Sequence, residues 1–274
     1  MREPERMESE MTAEQTRADL VRMSRSLGDP SKDYVILGEG NTSARIDDER
    51  FYVKASGTQM ATIGEHEFVE VRGAPVLEMV DAGDLSDGQI LERLMDACVW
   101  RGAMRPSVET VLHAVLLQAP QISFVGHTHP TAVNAILCSE RWRELLAGRL
   151  FPDEIVVCGP APALIPYVDP GLPLACAVRD GLRTYVEGYG EPPKVILMQN
   201  HGLIALGATA SAVENATAMA VKAARVILAA AVVGGLHYLS PEHVARIHTR
   251  PDEEYRKRFL EHTGGGPGGP ARPR

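Results

Sequence analysis

The sequence predicts one α/β domain. Short apolar segments with the alternation of β-strands recur between longer segments whose apolar residues follow the period of an α-helix. The 274 residues show no internal repeat and no clear domain boundary, and one large domain can hold a chain of this length. We expect that domain over residues 12–262, between a disordered N-terminus at 1–11 and a disordered Gly/Pro tail at 263–274.

Composition and charge predict a globular protein without a nucleic-acid or membrane partner. Hydrophobic residues make up 45% of the chain and charged residues 23%, and the net charge is −8, which disfavours binding to nucleic acid. The apolar segment 210–235 contains Glu214, Lys222 and Arg225, so we expect a helix buried in the fold or at a subunit contact rather than a membrane span. The acidic N-terminus is unlike a signal peptide and the four cysteines form no CxxC pair, which predicts a cytoplasmic location.

The first third of the chain predicts a helix and a β-hairpin. The helix runs over 12–27 and is ended by Gly28 and Pro30. Alternating or apolar segments predict strands at 34–37, 44–47 and 51–54. Two turns flank the hairpin, Gly40-Asn41-Thr42-Ser43 and Ser56-Gly57. Each can offer backbone N–H groups and hydroxyls to an anion, although either turn alone is more typical of ordinary chain reversal.

The rest of the chain alternates between helical and strand-like segments. Residues 68–80 show strand-like alternation that Gly73-Ala74-Pro75 interrupts. Ser86 is a predicted helix cap, and Pro106 and Ser107 open a later helix. The predicted helices are 86–100, 110–118, 131–138, 140–146, 174–188, 210–236 and one that Ser240 caps. The predicted strands are 122–126, 154–157, 194–199 and 203–206, and the proline-rich segment 160–173 is expected to be an irregular wall of a cleft.

Three histidines follow strand-like segments. His127 and His129 come directly after the apolar run 122–126, and the period of a strand places both imidazoles on one face. An isolated pair of this kind is more typical of a solvated strand end, but His201 follows a second apolar run. Imidazoles presented together are typical ligands of Zn²⁺ or a similar divalent ion. His113, one turn after Glu109, is expected to be a supporting or core histidine rather than a further ligand.

Five motifs in this order resemble the class II metal-dependent aldolases of the fuculose-phosphate and rhamnulose-phosphate type, also called the aldolase/adducin family. The motifs are Gly40-Asn41-Thr42-Ser43, Ser56-Gly57, Pro106-Ser107-Val108-Glu109, His127-Thr128-His129-Pro130 and Asn200-His201-Gly202-Leu203. The first two look nearer to the rhamnulose-phosphate branch. The resemblance implies a three-layer α/β/α fold around a central, mostly antiparallel sheet, and a homo-oligomer, specifically a tetramer.

The resemblance also implies a site and a reaction. His127, His129 and His201 would bind the metal together with Glu109 before substrate arrives; three imidazoles suit Zn²⁺ best, with Mn²⁺ or Co²⁺ as alternatives. Glu109 would be the acid/base in retro-aldol cleavage of a ketose 1-phosphate or related hydroxy-ketone through a metal-bound enediolate. The residues expected to hold the substrate, a small molecule and specifically a sugar phosphate, are Asn41, Ser56, Gly57 and Ser107.

Two departures from the family pattern leave other reactions open. Val108 stands where a second hydroxyl residue usually precedes the glutamate, so the phosphate contact is weakened, and decarboxylation or dehydration on the same scaffold is an alternative. The fuculose branch carries a tyrosine proton donor that has no clear counterpart here. The candidates Tyr167, Tyr238 and Tyr255 are each more typical of structural residues. A non-catalytic adducin-like module is disfavoured because all three histidines and the glutamate are present.

Overall fold

A seven-stranded sheet forms the middle layer of the structure, a computed structural model that describes residues 13–251. The strands are β1 (Asn41–Arg45), β2 (Arg50–Lys54), β3 (Phe68–Arg72), β4 (Phe124–Thr128), β5 (Ala163–Ile165), β6 (Val195–Met198) and β7 (Gly202–Gly207). Their order across the sheet is β3-β2-β1-β4-β7-β6-β5. Every neighbouring pair is antiparallel except β5 and β6. The mostly antiparallel central sheet is therefore confirmed.

Helices cover both faces of the sheet. They are α1 (Ala13–Leu27), α2 (Gly73–Asp81), α3 (Asp87–Ala97), α4 (Thr110–Leu116), α5 (Thr131–Leu137), α6 (Trp142–Leu145), α7 (Pro152–Cys158), α8 (Leu172–Tyr189), α9 (Ala210–Val232) and α10 (Pro241–His248). Residues that alternate along β4 belong to opposite cores: Val125 packs with α4 and α8, and Phe124 packs with α1 and α9. Because strand side chains alternate between faces, each strand contributes to both cores, and the three-layer fold is confirmed.

The predicted caps Ser86 and Ser240 are confirmed, whereas Pro106 and Ser107 do not open a helix because α4 begins at Thr110 after Glu109. Ser86 Oγ accepts a hydrogen bond from Gln89 N, and the Gln89 side chain accepts one from Ser86 N, which is a capping box at the start of α3. Ser240 Oγ accepts from His243 N at the start of α10. These local contacts satisfy backbone donors that a helix leaves without partners at its N-terminus.

Two predicted strands are wrong. Residues 154–157 lie in α7, because Pro152 starts the helix and the carboxylate of Glu154 pairs with Arg149 beneath it. An apolar segment this short has the same pattern in a buried strand and in a buried helix. Residues 34–37 form a bent loop in which Leu37 has a φ of 52° and is exposed. Their apolar side chains predict a strand that the backbone does not form.

Two further segments differ from expectation. The strand-like alternation of 68–80 ends at Arg72, and Gly73 begins α2 rather than a second strand. The segment 160–173 contains β5, which pairs in parallel with β6 and closes that edge of the sheet. Because proline is rare inside strands, Pro162 and Pro166 on either side of this three-residue strand make the segment look irregular in sequence.

Within the described residues, α9 is the one helix whose length and apolar composition would allow it to cross a membrane. The same properties belong to the core helix of a globular domain. Val213, Val221 and Ile227 of α9 are buried in the core beneath the sheet, and Glu214 forms an ion pair with Arg22 of α1 at 2.7 Å. One face of α9 therefore belongs to this core. The predicted disordered segments, 1–11 and 263–274, lie outside the described residues.

Candidate metal centre

The histidine pair lies at the end of the central strand. His127 is the fourth residue of β4, paired with Asn41 of β1 on one side and Ile204 of β7 on the other. His127 is fully buried and His129 partly buried. Their Nε2 atoms are 2.9 Å apart, so the predicted placement of both imidazoles together is confirmed.

His201 reaches the pair from the loop between β6 and β7. Its Nε2 lies 3.2 Å from Nε2 of His127. Asn200 adopts a left-handed conformation, with a φ of 53°, which asparagine tolerates better than most residues. A Cβ on Gly202 would lie 2.6 Å from the carbonyl oxygen of Thr128 and 2.7 Å from the His129 ring. Only glycine at this position lets the loop approach β4 closely enough to join the three imidazoles.

Hydrogen bonds and burial prepare the rings as neutral ligands. Nδ1 of His127 donates to the carbonyl oxygen of Leu203 at 3.0 Å, which leaves the lone pair on Nε2. Nδ1 of His129 faces Glu39, 3.8 Å away. Burial lowers the pKa of His127 to about 4 and the pKa of His129 to about 4. Both rings are therefore neutral at pH 7, the form that binds metal.

Glu109 faces the imidazoles from the start of α4. Its Oε1 is 3.2 Å from Nε2 of His201, and its Oε2 is 3.5 Å from Nε2 of His127. Burial raises the pKa of this carboxyl, but the charge that His127 can carry and hydrogen bonds from His201 and Asn41 outweigh burial and hold the pKa below its usual range. With His127 neutral, the Asn41 contact, at 2.6 Å, persists. Glu109 is a buried carboxylate at neutral pH.

The four side chains fit a divalent cation. Tetrahedral zinc with bonds of about 2.0–2.1 Å places its nitrogen ligands about 3.3 Å apart, close to the 2.9 and 3.2 Å that separate Nε2 of His127 from its two neighbours. No lysine or arginine of the described residues lies within 4.0 Å of the Glu109 carboxylate. The neutral imidazoles of His127 and His129 do not balance this buried anion, and a bound cation would.

The predicted substrate residues lie around this centre. Asn41 Nδ2 is 3.4 Å from Ser107 Oγ, so these two residues are neighbours. Backbone N of Ser56 donates to the carbonyl oxygen of Arg105 at 2.8 Å, which brings the Ser56-Gly57 turn next to Pro106 and Ser107. Their contact with a substrate stays a prediction. Val108, beside the buried carboxylate in sequence, is 45% exposed.

Sequence reasoning missed Lys54. This last residue of β2 is only 2% exposed, and its Nζ lies 3.4 Å from the carbonyl oxygen of Gly38. Burial lowers the pKa of Lys54, while the charges of Glu67 and Glu109 act in the opposite direction. A lysine at the end of the otherwise apolar segment Phe51-Tyr52-Val53 was the available signal, because buried lysines are rare without a partner.

The tyrosine candidates for proton donation have other contacts. The hydroxyl of Tyr167 donates to Oδ1 of Asp169 at 3.0 Å. The hydroxyl of Tyr238 donates to the carbonyl oxygen of Glu144 at 2.6 Å. Tyr255 lies outside the described residues. The hydroxyl groups of the two described candidates therefore hydrogen-bond outside the centre.

Two known proteins are similar to this chain in sequence. The chain is 27% identical over 180 residues to the uncharacterized oxidoreductase YuxG of Bacillus subtilis (strain 168); the match covers 63% of this chain but 24% of that protein, so the chain spans about a quarter of that relative. It is 25% identical over 189 residues to the 3-oxo-tetronate 4-phosphate decarboxylase of Haemophilus influenzae, covering 69% of this chain and 75% of that enzyme.

One solved structure and the profile of one family also match this chain. The L-fuculose-1-phosphate aldolase of Thermus thermophilus superposes with a TM-score of 0.56 at 18% identity, covering 81% of this chain and 100% of that one, which shows a shared fold. The profile of the family described as Class II Aldolase and Adducin N-terminal domain matches residues 18–228. Because that match spans most of the chain and contains the histidines and the glutamate of the centre, the protein belongs to the class II aldolase and adducin family.

Proposed function

We propose that this chain is a divalent-metal-dependent aldolase that cleaves a ketose 1-phosphate or a related hydroxy-ketone. The observation that carries the proposal is the buried Glu109 carboxylate facing three converging imidazoles. A perturbed, buried acid beside a set of metal ligands is typical of a catalytic site. The retained centre also disfavours the non-catalytic adducin-like alternative.

Glu109 supplies the acid/base of the reaction. As a carboxylate it accepts the proton of the C4 hydroxyl; the C3–C4 bond then breaks, C4 leaves as an aldehyde, and the bonding electron pair stays on the C1–C3 fragment as an enediolate. Return of the proton from Glu109 to C3 gives the ketone product. A positioned acid/base of this kind contributes about 10²–10⁴-fold. A divalent cation held by His127, His129 and His201 would stabilise the negative charge of the enediolate oxygens as a Lewis acid.

The surroundings of the centre favour an anionic substrate. Lys54 provides a buried positive charge that no carboxylate of the described residues pairs within 4.0 Å. Asn41, Ser107 and the Ser56-Gly57 turn provide amide, hydroxyl and backbone donors next to one another. A phosphate or carboxylate group would satisfy both the charge and these donors.

Decarboxylation is the second candidate, and the Haemophilus influenzae relative favours it. Loss of CO₂ from a 3-keto acid also leaves a carbanion beside a carbonyl group, so the same residues would serve both reactions. In that reaction Glu109 would take no proton from the substrate and would instead pass a proton taken up from solvent to carbon. Val108, in place of the usual hydroxyl residue, fits either substrate because it changes the anion contacts and leaves the acid/base unchanged.

A substrate screen separates the two candidates. Purified full-length protein, loaded in turn with Zn²⁺, Mn²⁺ or Co²⁺, would be incubated with ketose 1-phosphates, hydroxy-keto acids and phosphorylated 3-keto acids, with and without EDTA. We expect release of an aldehyde and a ketone fragment, and we expect EDTA to abolish that release. Release of CO₂ without an aldehyde would establish the decarboxylase instead, and turnover unaffected by metal removal would contradict both.

A further inference from the structure

A chain of buried hydrogen bonds leads from the sheet to Glu109. Ser43 Oγ lies 2.7 Å from Nδ1 of His113, Nε2 of His113 contacts Oδ1 of Asn41, and Nδ2 of Asn41 lies 2.6 Å from Oε2 of Glu109. All four residues are buried, with exposures of 0%, 0%, 5% and 7% along the chain from Ser43. The aldol chemistry described above uses Glu109 and leaves His113 without a role.

The geometry follows from two periodicities. Asn41 and Ser43 are two residues apart on β1, so their side chains leave the same face of the strand. Glu109 and His113 are four residues apart at the start of α4, so they lie one above the other on the helix. Asn41 therefore faces Glu109 while Ser43 faces His113, and the contact between Asn41 and His113 joins the two pairs diagonally.

The donors and acceptors allow only one direction along this chain when the imidazole is neutral. The Glu109 carboxylate accepts and cannot donate, so Asn41 presents its amide N–H to it. The Asn41 carbonyl oxygen then faces His113, and Nε2 of His113 must carry the hydrogen. Nδ1 of His113 is left as an acceptor, and the Ser43 hydroxyl donates to it. Every hydrogen in the chain thus points toward Glu109.

Resting on the proposed function, we propose that His113 is a positioning residue for the acid/base. It fixes the orientation of the Asn41 amide, and that amide holds Oε2 of Glu109. A free Asn41 amide could turn its oxygen toward Glu109, where two acceptors repel each other and the carboxylate would lose its alignment.

Substitutions at His113 test the positioning role. His113→Leu fills the space but removes the donor; His113→Gln keeps an amide N–H close to the place of Nε2. We expect His113→Leu to lower kcat by about 10- to 100-fold, the usual effect of losing a supporting hydrogen bond, with KM and bound metal unchanged. His113→Gln should restore most of the kcat. An unchanged kcat in folded His113→Leu, or a Gln variant no better than the Leu variant, would overturn the proposal.

A second variant and a spectroscopic readout keep the test decisive. If His113→Leu does not fold, Ser43→Ala takes its place: without the hydroxyl the ring can adopt either tautomer, and kcat should fall several-fold, whereas an unchanged value would refute the role. The ¹⁵N chemical shifts of the imidazole nitrogens in the metal-free protein, assigned by the signal lost in His113→Gln, should show hydrogen on Nε2. Hydrogen on Nδ1 would contradict the direction of the chain whatever reaction the enzyme catalyses.

These readouts separate the two proposals. If no substrate is cleaved but His113 carries hydrogen on Nε2, the proposed function fails and the role of His113 in catalysis fails with it, while the hydrogen-bond chain itself stands. If the wild-type enzyme cleaves its substrate and His113→Leu cleaves it equally well, the proposed function stands and the positioning role alone is rejected.

Discussion

Glu109 and Glu154 are both buried carboxylates, and their surroundings are opposite. Glu154 accepts from Arg149 Nη1 at 2.8 Å and from the backbone N of Leu150 at 2.9 Å, so a permanent cation and a backbone donor occupy its two oxygens. Arg149 is itself satisfied by the carbonyl oxygens of Cys158 and Gly159. Glu109 instead accepts from the Asn41 amide and from His201, and it faces the neutral imidazole of His127.

The difference separates a carboxylate whose charge the protein neutralises from one whose charge it leaves unpaired. The charge of Glu154 is neutralised within the protein, so it ties α7 to the preceding loop and has no capacity left for a ligand. Under the proposed function, the charge of Glu109 is left for a cation and for the substrate proton. Substitution of each glutamate by glutamine should therefore have separate effects, one on turnover and the other on folding.

The largest expected effect is that of Glu109→Gln on turnover. Glutamine keeps an acceptor for Asn41 but cannot take a proton, so kcat should fall by about 10²–10⁴-fold. The three imidazoles remain, and the metal should stay bound, measured by elemental analysis of the purified variant. The free energy of unfolding should not decrease, because a buried charge has been removed. Full retention of activity would refute the assigned role.

Glu154→Gln should have the reverse effect. Arg149 would keep a buried charge without a carboxylate, and loss of one partner of a buried pair costs about 3–5 kcal/mol of unfolding free energy. Urea denaturation would measure this loss, and kcat of the folded fraction should match the wild type. As a control, Glu144→Gln breaks the exposed pair with Arg141 and should leave the denaturation midpoint unchanged. Equal losses of unfolding free energy in Glu154→Gln and Glu109→Gln would contradict the contrast between these two carboxylates.

Acid should destabilise the metal-free protein because of its buried imidazoles. Burial lowers the pKa of His113 to about 4 and the pKa of His127 to about 4. In the unfolded chain a histidine takes up its proton near pH 6.5, so between about pH 6.5 and 4 the unfolded state binds protons that the folded state does not. The free energy of unfolding falls as pH falls through this window, by up to about 3 kcal/mol for each imidazole.

Chemical denaturation of the EDTA-treated protein at several pH values measures this slope. His113→Gln is the matched variant because it removes one titrating ring outside the predicted metal ligands. The slope of the free energy of unfolding against pH should therefore decrease by the contribution of that one ring. A wild-type curve without slope in this window would show that these rings are not neutral in the folded protein.

Metal removal should have the smallest of the four effects. A ligand that binds only the folded state at about 100 times its Kd adds about 2.7 kcal/mol to the free energy of unfolding, so EDTA should lower Tm, and added Zn²⁺ should restore it. His201→Ala removes one imidazole and should make Tm much less sensitive to metal. An equal response of that variant and the wild type would place the metal elsewhere.

The residues of the centre could be predicted from the sequence where local patterns determine their position. His127 and His129 follow an apolar strand at a spacing that one face of a strand requires, and His201 follows a second strand. The order of motifs pointed to Glu109 as their partner. All four residues lie together in the structure because β4 and β7 are neighbours in the sheet and α4 begins beside them.

The sequence was insufficient where tertiary contacts decide. Residues 154–157 have the composition of a strand, but the pairing of Glu154 with Arg149 and the start at Pro152 make them helical. The burial of Lys54 and the contact between His113 and Asn41 depend on elements that come together only in the fold. Hydrophobic patterns report which face of an element is buried and not which polar side chains meet there.

The centre draws on distant parts of the chain, and this has a consequence for biosynthesis. Asn41 and His201 lie at nearly opposite ends of the matched region, and the loop carrying His201 reaches β4 only after β6 and β7 have emerged from the ribosome and paired. A nascent chain that ends before this loop presents two imidazoles and no third. An ion that needs all three imidazoles can therefore bind only after this loop has reached β4.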